Sequence, residues 1–176
     1  MSRQNEDVDH VDRRRDQWAR ELPDVDTIGM AVLGRARWIT LMARPAIEQA
    51  FAAEGLDTGE FDVLGTLLRS GAPYRLRPTE LYRSLMISSG GLTDRLRRLT
   101  EAGLVSRPPA EGDGRSLPVE LTAEGRRKAE RAFRADMRIE AEMLAALDEK
   151  EKRLLADLLR KLAHSFSASH IASQPA

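Results

Sequence analysis

The 176-residue chain contains no cysteine, which removes disulfides, thiolate metal sites, cysteine nucleophiles and thiol redox sensing at once. Aromatic side chains are scarce too, with four Phe, two Trp and two Tyr making 5% of positions, so each large ring is a candidate for a particular task. No apolar run approaches the roughly 18 residues that a membrane span needs. The opening MSRQNEDVDHVDRRRDQW is charged where a secretion signal would be apolar. His10, His164 and His170 are scattered near the termini, and no His/Asp/Glu grouping has metal-ligand spacing. No Gly-rich phosphate loop or nucleophile motif appears. The expectation is a cytoplasmic protein that is not an enzyme, with no catalytic residue, no metal, no cofactor and no membrane contact. What is present, 41% hydrophobic positions, suffices for one compact domain or two intertwined pieces.

Lysine plus arginine equals aspartate plus glutamate at 28 each, but the charge is unevenly distributed. Residues 1–68 carry net −5, residues 69–115 carry net +4 and residues 116–176 carry net +1. All nine basic residues of the middle stretch are arginine. Arginine offers a planar fork that pairs bidentately with phosphate oxygens or guanine edges, which lysine does not. Charge alone is equally compatible with a solvated surface, so pattern has to decide.

Residues 1–20 hold Val8, Val11 and Trp18 as their large apolar side chains and read as either a short docked helix or a loose arm. Helical spacing of Ile28, Val32, Ile39, Ala43, Ile47 and Phe51 predicts a long amphipathic helix, with Pro45 as a possible kink. Gly55 ends it, and Thr58 is read as the cap of a second helix through Phe61, Leu64, Leu67 and Leu68. After the break at Ser70–Pro73, residues 74–77 form a short extended piece. Pro78 opens a third helix, and Ser88 is read as the N-cap of a fourth that runs to Ala102 with Leu92, Leu96 and Leu99 on one face. Gly103 stops it, and residues 104–107 and 117–121 alternate as the two strands of a hairpin with an exposed tip. Thr122 caps a long helix, and Asp148-x-x-Glu151 starts a last one carrying Leu154, Leu155, Leu158, Leu159, Leu162 and Phe166.

Helix, turn, helix and hairpin in succession is a winged helix-turn-helix, whose second helix enters the major groove while the wing touches backbone or minor groove. The fold class is therefore mainly α with a small β-hairpin wing, a DNA-binding domain joined to a helical region. With the leucines of the fourth helix facing inward, Ser89, Thr93, Asp94, Arg97 and Arg98 lie on its outer side. The glycines at 90 and 91 cost helix propensity but leave room for close approach to DNA.

Residues 56–122 closely resemble the core of the MarR family of transcriptional regulators. The resemblance rests on Pro78-Thr79-Glu80-Leu81, Ser88-Ser89-Gly90-Gly91-Leu92-Thr93, Gly103-Leu104-Val105, Asp113-Gly114-Arg115 and Leu121-Thr122-x-x-Gly125. With the flanking helices it extends over about residues 24–166. It implies a dimerisation region made of 24–55 and 123–166 and the winged helix-turn-helix over 56–122, with 1–23 as an N-terminal extension; the tail over 167–176 has no pattern and is expected to fray. It also implies an obligate homodimer on double-stranded DNA. Thr93, Asp94 and Arg97 would be base-edge readers, Ser88 and Ser89 phosphate contacts, and Arg115 a minor-groove contact. Arg98 belongs to the same DNA-facing set, with Arg75 and Arg77 as weaker phosphate candidates. Many relatives carry arginine where Asp94 stands, so operator preference should depart from the common pattern.

Within that family the chain resembles the urate-responsive branch, which has an additional N-terminal helix and a four-residue ligand set matched by Trp18, Asp62, Arg95 and Arg107. The implied effector is a small anionic aromatic, urate foremost. An indole can stack on the purine, two arginine forks can pair its anionic edge, and an aspartate beside it would be repelled. Such a ligand would relieve repression. Phenolic effectors are the nearest alternative, and a dimeric interaction module without specific DNA binding is the alternative of another class. Duller roles exist for each residue: Trp18 as a staple for the arm, Asp62 and Arg95 as a structural ion pair, Arg107 as a wing phosphate contact.

Overall fold

The computed structural model describes residues 8–85, 91–109 and 117–172. It divides into two compact units, Met1–Ala132 and Phe133–Ala176.

In the first unit, helix α1 (His10–Glu21) starts on Asp9, whose side chain accepts from the backbone N–H of Val11 at 2.8 Å and of Asp12 at 2.9 Å. Its docking is largely ionic: Arg35 reaches Asp9 Oδ2 with Nε at 2.8 Å and Asp12 Oδ2 with Nη2 at 2.6 Å, while Val11 is its buried apolar side chain. The Arg35 hydrogen bond holds the Asp9 carboxyl well below the usual carboxylate range. The His10 ring also rests against Trp38, with centroids 4.4 Å apart. Of the two forms open to residues 1–20, the docked helix is the one present from His10 onward.

The expected long helix contains a π-helical stretch, Met30–Gly34, before continuing as α2 (Arg35–Ala53) with Pro45 inside it. Helix α3 (Thr58–Arg69) is capped by Asp57 rather than Thr58. Asp57 Oδ1 accepts from Glu60 N at 2.7 Å and Glu60 Oε2 accepts from Asp57 N at 3.0 Å. This reciprocal box satisfies two backbone donors, so aspartate with glutamate three residues on outcompetes the neighbouring threonine.

Strand β1 (Arg75–Leu76) leads into α4 (Pro78–Ser84). Helix α5 spans Leu92–Glu101, and the expected cap, Ser88, lies outside the described residues. Gly91 sits at its N-terminal boundary with φ 74°, a left-handed conformation that interrupts a right-handed helix and favours glycine. Strands β2 (Val105–Ser106) and β3 (Val119–Leu121) form the wing, and β1 joins them in a three-stranded antiparallel sheet of order β1-β3-β2. The extended piece at 74–77 thus becomes a third strand, with Arg75 opposite Glu120 and a 2.7 Å ion pair between them. The core is a single apolar cluster in which Val63, Leu64 and Leu67 of α3 meet Leu81, Leu96, Leu99 and Val119.

Helix α6 (Ala123–Met143) starts where Thr122 Oγ1 accepts from Gly125 N at 3.0 Å and donates to Gly103 O at 2.8 Å. A Cβ at Gly125 would stand 1.9 Å from the Leu104 carbonyl oxygen, so the Leu-Thr-x-x-Gly pattern joins helix to wing by close backbone contact.

In the second unit, Asp148 and Glu151 form the expected box at 2.8 and 2.9 Å, and α7 (Glu149–Ala172) follows. The helix continues past Phe166 into the segment expected to fray. Leu154, Leu155, Leu158, Leu159 and Phe166 are exposed along it. Asp136 is buried on α6, its Oδ1 has no hydrogen-bond partner among the described residues, and burial followed by Glu140 pushes its carboxyl up. Among the described residues, no helix is long and apolar enough to cross a membrane.

Gly125→Ala is expected to lower unfolding free energy in urea by about 1–3 kcal/mol, the cost of overpacking; an unchanged midpoint would mean that the Leu104 carbonyl yields freely. A raised Asp136 pKa disfavours the ionised native state: the cost is absent in acid, where the group is protonated in both states, and grows as pH rises above the ordinary carboxylate range. Asp136→Asn should therefore raise the thermal midpoint at neutral pH and leave it nearly unchanged in acid. A lower midpoint at neutral pH would show that a cation meets this carboxylate.

Candidate nucleic-acid interface and ligand site

Helix α5 is amphipathic. Leu92, Leu96 and Leu99 point into the core, which leaves Thr93, Asp94 and Arg97 exposed along one ridge. On that ridge Arg97 is held by its own helix: Nη2 lies 2.6 Å from Asp94 Oδ1, and Nη1 lies 2.9 Å from both oxygens of Glu101. The hydrogen bond from Arg97 keeps the Asp94 carboxyl below its ordinary value, and Asp94 and then Glu101 raise Arg97. Both groups therefore stay ionised near neutrality. The charges are exposed, so Arg97 can exchange carboxylates for a phosphate or a base edge at small cost.

Arg98 is placed differently. It turns toward α3, with Nε 2.9 Å from Glu60 Oε1 and Nη2 2.8 Å from Asp57 Oδ2, and a third bond of 3.2 Å returns to Asp94. Expected to face DNA, it is bonded to the capping box of the neighbouring helix. Between α4 and the start of α5 lies a groove of about 570 Å³, along which Thr79, Tyr82 and Arg83 of α4 face Leu92 and Thr93. Tyr82 and Arg83 are exposed and were not singled out in the sequence, although the spacing 79, 82, 83 marks one face of α4. Ser88, Ser89 and Arg115 lie outside the described residues.

Of the four residues of the expected ligand set, three lie on helices α1, α3 and α5 and the fourth follows β2. Asp62 is on α3, 6% exposed, with Oδ1 3.9 Å from Arg69 Nη1. Arg69 in turn donates to the Ser84 carbonyl at the end of α4, a link from Asp62 to the helix-turn-helix that the sequence did not reveal. Arg95 is half-buried on α5, and its guanidinium lies so close to Gly59 of α3 that a Cβ there would be 2.3 Å from Nε. Gly59 and Asp62 are three apart, hence neighbours on one face of α3. Asp62 and Arg95 thus ride on two helices that pack together. Trp18 is 49% exposed on α1, and Arg107 follows β2, with Nη1 donating to the Leu117 carbonyl at 3.2 Å across the wing. A cleft of about 430 Å³ opens where α3 and α5 begin; its walls include Thr58, Gly59, Arg95 and Arg98, but not Trp18, Asp62 or Arg107. Among the described residues, no group of three or more His, Asp or Glu could hold a metal ion.

Residues 54–116 match the model of the MarR family. The chain is 38% identical over 146 residues to the HTH-type transcriptional regulator PecS of Dickeya dadantii, covering 83% of this chain and 88% of that one. It is 36% identical over 119 residues to the HTH-type transcriptional repressor Rv2887 of Mycobacterium tuberculosis, covering 68% and 84% of the two chains. The crystal structure of that family protein in complex with salicylic acid superposes with a TM-score of 0.59 at 34% identity, covering 80% of this chain and 99% of the other. These relatives are transcriptional regulators and not enzymes.

Gly59→Ala should displace the Arg95 guanidinium without unfolding α3, because the clash is with the end of a flexible side chain and alanine favours a helix over glycine by up to about 1 kcal/mol. The expected result is a retained thermal midpoint with a shifted Arg95 Nε–H resonance. A large drop in the midpoint would show that Arg95 cannot leave its seat.

Proposed function

The chain belongs to the MarR family of transcriptional regulators, and on that footing we propose that it is a cytoplasmic homodimeric repressor whose hold on a pseudo-palindromic operator is loosened by a small anionic aromatic, urate foremost. In this reading α5 lies in the major groove, where Thr93, Asp94 and Arg97 meet base edges. Ser88, Ser89 and the α4 face of Tyr82 and Arg83 hold phosphates, and Arg115 reaches the minor groove. The homodimer is supported by apolar side chains that the single chain leaves in water: Trp38, Ile39, Leu41 and Met42 on α2, and separately the leucines of α7. Two-fold symmetry then sets half-sites about one helical turn apart.

The observation that carries the effector reading is that Asp62 and Arg95 sit on α3 and α5, which pack against each other. An anion paired with Arg95 approaches the buried Asp62 carboxylate, and the repulsion acts on the helix that reads DNA. Urate is favoured because the set Trp18, Asp62, Arg95 and Arg107 resembles that of the urate-responsive branch. Trp18 supplies a stacking face, and Arg107 a second fork once it leaves the Leu117 carbonyl. A phenolic acid is the second reading, supported by the salicylic acid and p-aminosalicylic acid complexes of Rv2887.

The test is fluorescence anisotropy on labelled DNA from upstream of the chain's own gene, with urate or salicylate titrated in at fixed salt. Release by urate and not by salicylate, abolished in Asp62→Asn, is the expected result. Release by salicylate alone would select the second reading, and tight binding indifferent to both would remove the effector claim. Arg97→Ala should weaken operator binding by about 1–3 kcal/mol and relax sequence preference; equal loss on random DNA would mean that Arg97 touches only phosphate.

A further inference from the structure

Arg97 and Arg98 are adjacent in α5 and have opposite surroundings. Arg97 bonds within its own helix and is exposed together with both its partners. Arg98 crosses to another helix and meets Asp57 and Glu60, the two residues of the α3 capping box. The oxygens are shared without competition. Asp57 uses Oδ1 inside the box and Oδ2 for Arg98, while Glu60 uses Oε2 inside the box and Oε1 for Arg98. One guanidinium therefore completes the first turn of α3 and ties it to the middle of α5. The guanidinium reaches the two carboxylates with two separate nitrogens in a rigid plane, Nε on Glu60 and Nη2 on Asp57, a spacing that the one nitrogen of an ammonium group does not reproduce. The Glu60 side chain is only 15% exposed, so its carboxylate has little water to fall back on if Arg98 leaves.

We propose that Arg98 is a positioning residue: it sets the angle of the recognition helix by clamping α5 to the capping box of α3, and it does not contact DNA. The proposal rests on reading α5 as the recognition helix. Asp94 links the two arginines, Oδ1 on Arg97 and Oδ2 on Arg98. When Arg97 moves to DNA, Asp94 remains tethered through Arg98, so the carboxylate beside the bases keeps a fixed place. The clamp also lies at the joint where Arg95, three residues before Arg98, and Asp62, two residues after Glu60, occupy the same two helices.

The test measures operator affinity against salt, using a duplex selected from a random library by the wild-type protein. A clamp predicts that Arg98→Ala and Arg98→Lys both lose about tenfold in affinity with an unchanged salt slope, as for the loss of one base-pair contact. It also predicts that Glu60→Gln, with Arg98 intact and the box acceptor kept, loses affinity in the same direction. A phosphate contact predicts the reverse: Arg98→Lys keeps most of the binding, Arg98→Ala reduces the slope of log affinity against log salt by about one, and Glu60→Gln binds more tightly because a competing carboxylate has gone. That second pattern would overturn the proposal. A thermal-unfolding double-mutant cycle on Arg98→Ala and Glu60→Gln supplies a readout without DNA, where strong non-additivity is expected and simple additivity would overturn the clamp. Because the cycle needs no operator, a missing clamp and a mistaken recognition helix leave different signatures.

Discussion

Leu96 and Leu99, almost completely buried in the cluster that holds α3, decide where the recognition helix lies and which of its side chains face outward. Each buried leucine contributes roughly 1.5–3 kcal/mol, far more than any exposed ion pair on the same helix. Rotating α5 to present another face would expose those leucines, so the ridge of Thr93, Asp94 and Arg97 is fixed by what is hidden rather than by what is displayed. The polar layer then refines the placement. Arg95 seats on Gly59, Arg98 on Asp57 and Glu60, and the glycine at 59 exists where a methyl group would dislodge a guanidinium.

The middle of the chain is rich in arginine, yet its recognition helix is locally balanced. Arg97 and Arg98 are matched by Asp94 and Glu101 on the same helix and by Asp57 and Glu60 beside it. A helix of bare arginines would bind any duplex through phosphate attraction alone. On the proposed reading, Arg97 exchanges the Asp94 and Glu101 carboxylates for DNA while Arg98 keeps its own, which reduces that indiscriminate term and leaves the geometry of base edges to distinguish sites. On the proposed reading the same arrangement is what a ligand acts on, since a small displacement of α3 carries partners of α5 with it.

Much of this was legible in the sequence because it depends on neighbours along the chain. Apolar spacing announced α2, α3 and α5, and the boxes or caps at Thr122 and Asp148 were visible as short patterns whose donors lie three residues away. Asp57 was just as local, with Glu60 at the right distance, but the adjacent Thr58 is also a good cap, and only the backbone geometry separates the two. The rest required partners distant in sequence. Residues 75–76 become a strand because β3, some 45 residues later, lies beside them. Arg98 resembled Arg97 until a carboxylate 38 residues earlier appeared within 2.9 Å. The left-handed conformation of Gly91 at the N-terminal boundary of α5 is likewise something that helical periodicity alone does not announce.

In the function proposed, an anionic aromatic acts on DNA binding through the contact between α3 and α5. Hydrogen–deuterium exchange of the protein with and without urate tests it most directly. Altered protection is expected in peptides covering Leu56–Asp62 and Leu92–Arg98, with α7 unchanged. Urate binding that leaves both segments unaltered, or that changes only α7, would contradict it.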